Sequence, residues 1–266
     1  MSYDNPEILK EFAHRFHVTY PLLADPQSEV IGRFGLIDPD TSPANLLEDS
    51  KTGLAYPGFF FVAPDGTIKE KYFGEKYYDR FTANNVLVKL FPELLEPSVT
   101  HASDAHIRVD LKQSDGSAVI GSRVTFVATV HLPQGVHVYA PGVKGYKPIQ
   151  LTLQTEGLPM KDALYPPSHP LTFGELQETV PVYTDTFEIR QDVLVLLDKG
   201  LRQEYMKFQG GRDSGTLVPV RGQLSYQACT DKVCYPPATL ALQWMLRIHQ
   251  MDNERSPEAI RDRRQQ

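Results

Sequence analysis

One pair of side chains in this chain has both the type and the spacing for covalent chemistry: Cys229 and Cys234, the only two cysteines among 266 residues. They sit in Leu224-Ser225-Tyr226-Gln227-Ala228-Cys229-Thr230-Asp231-Lys232-Val233-Cys234-Tyr235-Pro236-Pro237. A strand-like run arrives at Cys229, a mostly polar turn follows, and Cys234 leads into Tyr-Pro-Pro. That order predicts two cysteines facing each other across a hairpin, where Cα atoms reach the roughly 5.5–6 Å a disulfide prefers. Closing so short a loop stabilises a fold by only about 2 kcal/mol on the chain-entropy estimate. A structural staple gains more from a long loop, so the spacing favours redox exchange. A passive disulfide or a pair of unused thiols is the competing reading. Lys232 favours a thiolate and Asp231 opposes it, so local charge decides little. Two cysteines without further nearby ligands are too few for zinc, and no metal or other cofactor is expected.

The rest of the composition narrows the function by exclusion. The net charge of −6 and the absence of a basic stripe with interleaved aromatics argue against a nucleic-acid partner. No apolar run approaches the roughly 20 residues that span a bilayer. Met1-Ser2-Tyr3-Asp4-Asn5-Pro6 has neither a basic start nor an apolar stretch, so no signal peptide is expected in the chain as it stands. The length suits two domains, each with its own core.

The elements that must position the cysteines fall into two patterns. Up to residue 96, helix and strand signals alternate. Asn5-Pro6-Glu7 supplies a cap, a first-turn proline and an acid near the positive end of a helix dipole. Ile8, Leu9, Phe12 and Phe16 follow at helical spacing as an expected buried stripe. Tyr20-Pro21-Leu22-Leu23 reads as a short strand. Ser28 to Phe34 reads as a helix with Val30, Ile31 and Phe34 inward, ended by Gly35. Phe59-Phe60-Phe61-Val62 reads as a central strand covered on both faces. Asp65-Gly66 turns it into a partner strand, and Phe81 to Leu95 reads as a closing helix.

Several of these pieces resemble the peroxiredoxin and thioredoxin-like redoxin family. They are Ser2-Tyr3-Asp4 before a helix, Tyr20 to Pro26, Phe34-Gly35-Leu36, and Tyr56-Pro57-Gly58-Phe59-Phe60-Phe61-Val62 before Asp65-Gly66. The resemblance implies a cis bond at Pro57 bordering an active site. It also implies a reactive cysteine on the family's first helix, which would lie before Ser2. Residues 1–95 contain no cysteine. The expectation is therefore a thioredoxin-like domain without its catalytic front end, or a chain truncated at its start, with no peroxidase activity of its own. A missing front end with its own cysteine pair would make the intact protein a fused reductase and acceptor.

From residue 97 the pattern changes. Residues 97–105 read as a polar linker. Short alternating runs then predict an antiparallel β-sandwich over 106–248: residues 107–111, 124–130, 149–153, 193–197, 218–226 and 241–248. Residues 249–266 read as a polar tail. The expected fold class is thus α/β plus all-β: an incomplete thioredoxin-like domain at 1–96, then an immunoglobulin-like sandwich.

Residues 105–248 resemble the amino-terminal, disulfide bond corrector domain of the bacterial transmembrane thiol-disulfide interchange (DsbD) family. The residues that carry the resemblance are Gly135 to Gly142, Pro181-Val182-Tyr183, and above all Tyr226-Gln227-Ala228-Cys229 with Cys234-Tyr235-Pro236-Pro237. It implies an immunoglobulin-like fold and a Cys229–Cys234 disulfide reduced by a thioredoxin-like partner through a mixed disulfide. Cys234 would form that mixed disulfide and Cys229 would resolve it. The family shields its cysteines with an aromatic on a loop. The counterpart here falls between His169 and Tyr183, with Phe173 the candidate and His137, Tyr139, Tyr226 and Tyr235 as further expected site-lining residues; a packing role is the competing reading for Phe173, His137 and Tyr139. The resemblance also implies a periplasmic or otherwise extracytoplasmic location. Against an exchange protein stands a non-enzymatic adaptor with a structural disulfide and a degenerate redoxin domain.

Overall fold

The computed structural model describes residues 1–38, 55–74, 79–94, 100–154, 158–173, 178–196 and 215–249. By contacts the chain divides into two units, Met1–Phe81 and Thr82–Gln266.

The first unit has helix α1 (Pro6–Arg15), helix α2 (Glu29–Arg33) and an antiparallel pair, β1 (Gly58–Val62) and β2 (Ile68–Phe73). Its local signals act as expected. The Asn5 side chain accepts from the Ile8 N–H at 3.0 Å and caps α1. The Asp25 carboxylate accepts from the N–H groups of Glu29 and Ile31 and anchors α2, which ends at Gly35 in the left-handed region. Gly66, at φ +84, makes the tight turn between β1 and β2.

Five expectations for this unit are corrected. α1 has no buried residue, and Ile8 and Phe12 are 52% and 48% exposed. Periodicity sets which face is apolar, but burial needs a covering layer. Residues 20–23 form no strand; a single parallel bridge joins Ser2 to Ala24. β1 pairs with β2 alone among the described residues, so it is not a central strand, and none of its residues is fully buried. Phe34, expected inward, is 57% exposed, although its ring meets Phe60. No described peptide bond is cis, so Tyr56–Pro57 is trans, the isomer that an X–Pro bond prefers unless its surroundings enforce the other.

The second unit begins earlier than the sequence suggests. Helix α3 (Ala83–Leu90) is capped by Thr82 and Asn85 in a reciprocal box, then gives way at Phe91 to a single 3-10 turn, Pro92–Leu94. A proline disfavours helical backbone in the residue before it, which shortens the expected helix. α3 belongs to the sandwich because its polar residues are bonded there. The Asn85 amide donates to Ser114 Oγ at 3.2 Å and Thr125 Oγ1 at 3.0 Å, and Thr82 and Asn84 donate to Asp115.

The expected linker also contains a strand, β3 (Thr100–Ser103). It pairs with β4 (Arg108–Gln113), because a short polar segment on a sheet edge can satisfy its backbone through the neighbouring ladder. β5 (Ser117–Val119), β6 (Arg123–His131), β7 (His137–Tyr139), β8 (Gln150–Gln154), β9 (His169–Phe173), β10 (Glu178–Thr184), β11 (Thr186–Leu194), β12 (Thr216–Tyr226), β13 (Ala228–Cys229) and β14 (Ala238–His249) are the other strands described in this unit. The strand expected at 193–197 is the end of β11, which starts after the left-handed residue Asp185. His249 ends β14, and the tail beyond it lies outside the described residues.

Two four-stranded sheets, β11-β6-β4-β3 and β5-β14-β12-β8, enclose the main core. Among the described residues all pairings between strands are antiparallel except β14 with β5. Phe126 of β6 meets Trp244 of β14 edge-on at 5.5 Å, and the Trp244 indole donates to the Lys112 carbonyl. β6 is buried along nearly its whole length rather than on alternate residues, because Asn85 of α3 covers Thr125 on the outer face. A third sheet, β13-β7-β10-β9, carries the cysteine hairpin.

Truncating Phe126→Ala removes one half of the contact between the sheets and should destabilise the unit by about 3–5 kcal/mol. Urea unfolding followed by the fluorescence of Trp244, the sole tryptophan, measures this; an unchanged midpoint would contradict the packing described.

Candidate functional site

The hairpin geometry follows from the alternation of antiparallel pairing. The Tyr235 N–H donates to the Ala228 carbonyl at 2.9 Å and the Thr230 N–H to the Val233 carbonyl at 2.8 Å. Those bonds flank Cys229 and Cys234 and leave them a non-hydrogen-bonded pair, the type in which opposed residues come closest. The two are joined in a disulfide with a Cα–Cα distance of 4.0 Å, tighter than the hairpin estimate from sequence. Thr230 shapes the turn: its Oγ1 accepts from the N–H groups of Lys232 and Val233.

Neighbours in a strand point to opposite faces, and this sorts the residues around the disulfide. Ala228, Val138 and Tyr183 enter the main core. Cys229, Tyr139, Val180 and Val182 form a second, smaller buried cluster, packed by Val143, Tyr146 and Leu171. His137 pairs in register with Cys229 on one side and Thr184 on the other, which puts its side chain on this second face.

The two sulfurs are unequal. Cys229 is fully buried, whereas Cys234 is exposed. Tyr139 Oη lies 3.6 Å from Cys234 Sγ, and because a disulfide sulfur carries no proton, Tyr139 is the donor. The Tyr139 ring stacks on Tyr146 at 4.3 Å, and the Tyr146 hydroxyl donates to Glu178 at 2.8 Å. Burial, then the neighbouring Tyr146 and Glu178, pushes the Tyr139 phenol upward, so it keeps its proton at neutral pH. Burial, then the charge of His169, pushes His137 downward and favours the neutral imidazole.

The structure thus gathers Cys229, Cys234, His137 and Tyr139 from the sequence-derived set. It separates the others. Tyr226 follows Leu224 on the inward face of β12 in the main core, and its hydroxyl donates at 2.6 Å to the exposed Asp104 at the edge of that core. Tyr235, next to Cys234 and so on the opposite face, packs against the main core and stacks on His106 at 4.1 Å. Phe173 ends β9, two strands away from β7; its side chain lies outside the described residues. The aromatics described over the disulfide are Tyr139 and Tyr146. Tyr146 and Glu178 were not legible in the sequence, since only the loop after β7 and the start of β10 bring them together. No cluster of three metal-binding side chains occurs among the described residues.

Residues 1–71 match the AhpC/TSA family. That segment holds no cysteine, so thiol–disulfide chemistry in this chain falls to the pair at 229 and 234. No curated protein matches the chain. Among solved structures, the N-terminal periplasmic domain of ScsB from Proteus mirabilis is similar at 14% identity and a TM-score of 0.35, covering 56% of this chain and 48% of that one. The chain therefore spans about half of that structure. The reduced N-terminal domain of Neisseria meningitidis DsbD gives 15% and 0.30, covering 57% of this chain and 90% of that one. The GAE domain of GGA2p from Saccharomyces cerevisiae gives 7% and 0.28, covering 55% and 96%. No helix among the described residues is long and apolar enough to cross a membrane.

Two measurements check the site. After reduction, Cys234 should alkylate at least about tenfold faster than Cys229, as thiol access dictates; peptide mass spectrometry after brief iodoacetamide treatment reads this, and equal labelling would refute the asymmetry. The second concerns Asp104. Burial pushes its carboxyl up, but the Tyr226 hydroxyl, the N–H groups of His106 and Ile107 and the nearby His106 outweigh burial, so the net shift is downward. A lowered carboxylate contributes stability that is present above its unfolded value of about 3.9 and is lost as pH falls through the lower folded value. Tyr226→Phe should therefore be less stable at pH 7, with the gap to wild type narrowing below pH ~4; urea midpoints against pH test it.

Proposed function

We propose that this chain is a thiol–disulfide exchange module that relays reducing equivalents through Cys229 and Cys234. The observation that carries the proposal is the inequality of the two cysteines, one fully buried and one exposed, within a single disulfide. Exchange proceeds by attack of a thiolate on an accessible sulfur, and Cys234 offers that sulfur.

A dithiol donor, by the DsbD-family resemblance a thioredoxin-like protein, attacks Cys234 Sγ. The Cys229–Cys234 bond breaks with its electron pair passing to Cys229, and a donor–Cys234 mixed disulfide forms. The donor's second thiolate then attacks its own first sulfur and releases Cys234 as a thiolate. The donor leaves oxidised and the pair is left reduced. In the second half-reaction Cys234 attacks a target disulfide, and one target sulfur leaves as a thiolate. Cys229 then attacks Cys234 Sγ, expels the second target thiolate and restores the internal disulfide. The Tyr139 hydroxyl, protonated at neutral pH, favours the Cys234 thiolate by donating to it. Because such disulfides persist outside a reducing cytosol, the proposed location is extracytoplasmic.

Equilibration of the pair with glutathione or dithiothreitol should give a potential between roughly −120 and −270 mV, the range of exchange proteins. Cys229→Ser should trap a mixed disulfide at Cys234, and Cys234→Ser should trap none. A potential below about −300 mV would instead mark a structural staple and leave a binding protein.

A further inference from the structure

We infer that His137 is the base that deprotonates Cys229 when Cys229 resolves a mixed disulfide on Cys234. The inference rests on the exchange function proposed above and adds the residue that makes its closing step possible.

The resolving step poses a physical problem. Cys229 is fully buried among Tyr139, Val180 and Val182, and an apolar setting raises a thiol's pKa above its ordinary value of about 8.5. A protonated thiol does not attack, so the proton needs an acceptor beside it. Directly opposed residues of an antiparallel pair hold their Cβ atoms about 4.5–5.5 Å apart on one face. The residue opposed to Cys229 in β7 is His137, itself 3% exposed. The groups facing His137 keep it able to accept. On its own strand Tyr139 lies edge-on at 5.6 Å and stays protonated. Beyond β10, which presents the uncharged Thr184, stands His169, and electrostatic repulsion between the two imidazoles disfavours charging His137. Burial acts in the same direction, so the neutral imidazole dominates at pH 7.

The step balances. The Cys229 proton passes to the imidazole, the Cys229 sulfur bonds to Cys234 Sγ, and the partner's sulfur leaves with the electron pair of the broken bond. The imidazolium then returns its proton to solvent or to the departing thiolate. Run backwards, the same imidazolium protonates Cys229 as donor attack on Cys234 releases it.

The test is stopped-flow reaction of the reduced full chain with Ellman's reagent between pH 5 and 9. A first release of thionitrobenzoate reports modification of Cys234; a second, independent of reagent concentration, reports attack by Cys229. In wild type the second rate should rise to a plateau with a midpoint below 6.5, the ordinary histidine value. In His137→Gln it should fall by about 10²-fold at pH 7, within the usual range for general-base catalysis, and climb about tenfold per pH unit through pH 8. The first phase should be unchanged. An unaltered second phase in His137→Gln overturns the inference. Should that variant fail to fold, a wild-type profile without an inflection below 6.5, or one that does not coincide with the His137 ring titration by NMR, overturns it equally. Absence of any second phase in wild type would instead refute the exchange function itself.

Discussion

The two-residue ladder between β13 and β7 fixes the surroundings of the disulfide. Ala228 opposes Val138 and Cys229 opposes His137, and everything chemical in the sandwich follows from that register. A slip of one residue would turn Cys229 into the main core and present Ala228 to Tyr139, because side chains alternate faces with a period of two. The slip is resisted by both cores at once. Val138 and Ala228 are buried in one and Cys229 and Tyr139 in the other, so neither face accepts the exchanged set without loss of packing.

Desolvation on the second face moves two titrating groups in opposite directions. It raises Tyr139 and lowers His137, so both are neutral at pH 7, one as a donor and the other as an acceptor. The donor points to the exposed sulfur, and the acceptor opposes the buried one. A single buried surface thereby treats two sulfurs of the same covalent bond differently. Charged residues in the turn, Asp231 and Lys232, are exposed and contribute little by comparison.

The sandwich that carries this sheet is completed by a helix that looks in sequence like the end of the preceding segment. Asn85 is nearly fully buried and is bonded to Ser114 and Thr125, and Thr125 in turn donates to Asp192 of β11. Burying an amide requires that its donors be met, and those partners exist only on the sandwich. The same requirement holds Tyr226, whose phenol reaches Asp104 rather than the cysteines.

Local chemistry was readable from the residues alone. The Asn5 cap, the Gly66 turn, the strands at 107–111, 149–153, 218–226 and 241–248, and the cysteine hairpin all depend on neighbours in the chain, and each was legible. So was the resemblance of the first segment to redoxins, in agreement with the AhpC/TSA match over residues 1–71. Tertiary structure decided what periodicity cannot. It left the apolar face of α1 uncovered, gave β6 two buried faces, assigned α3 to the second unit, and chose Tyr146 with Glu178 to cover Tyr139. It also decided which cysteine is buried. The reason is the same in each case: sequence fixes which side of an element is apolar, whereas burial, and the pKa shifts that burial causes, depend on what another part of the chain lays against that side.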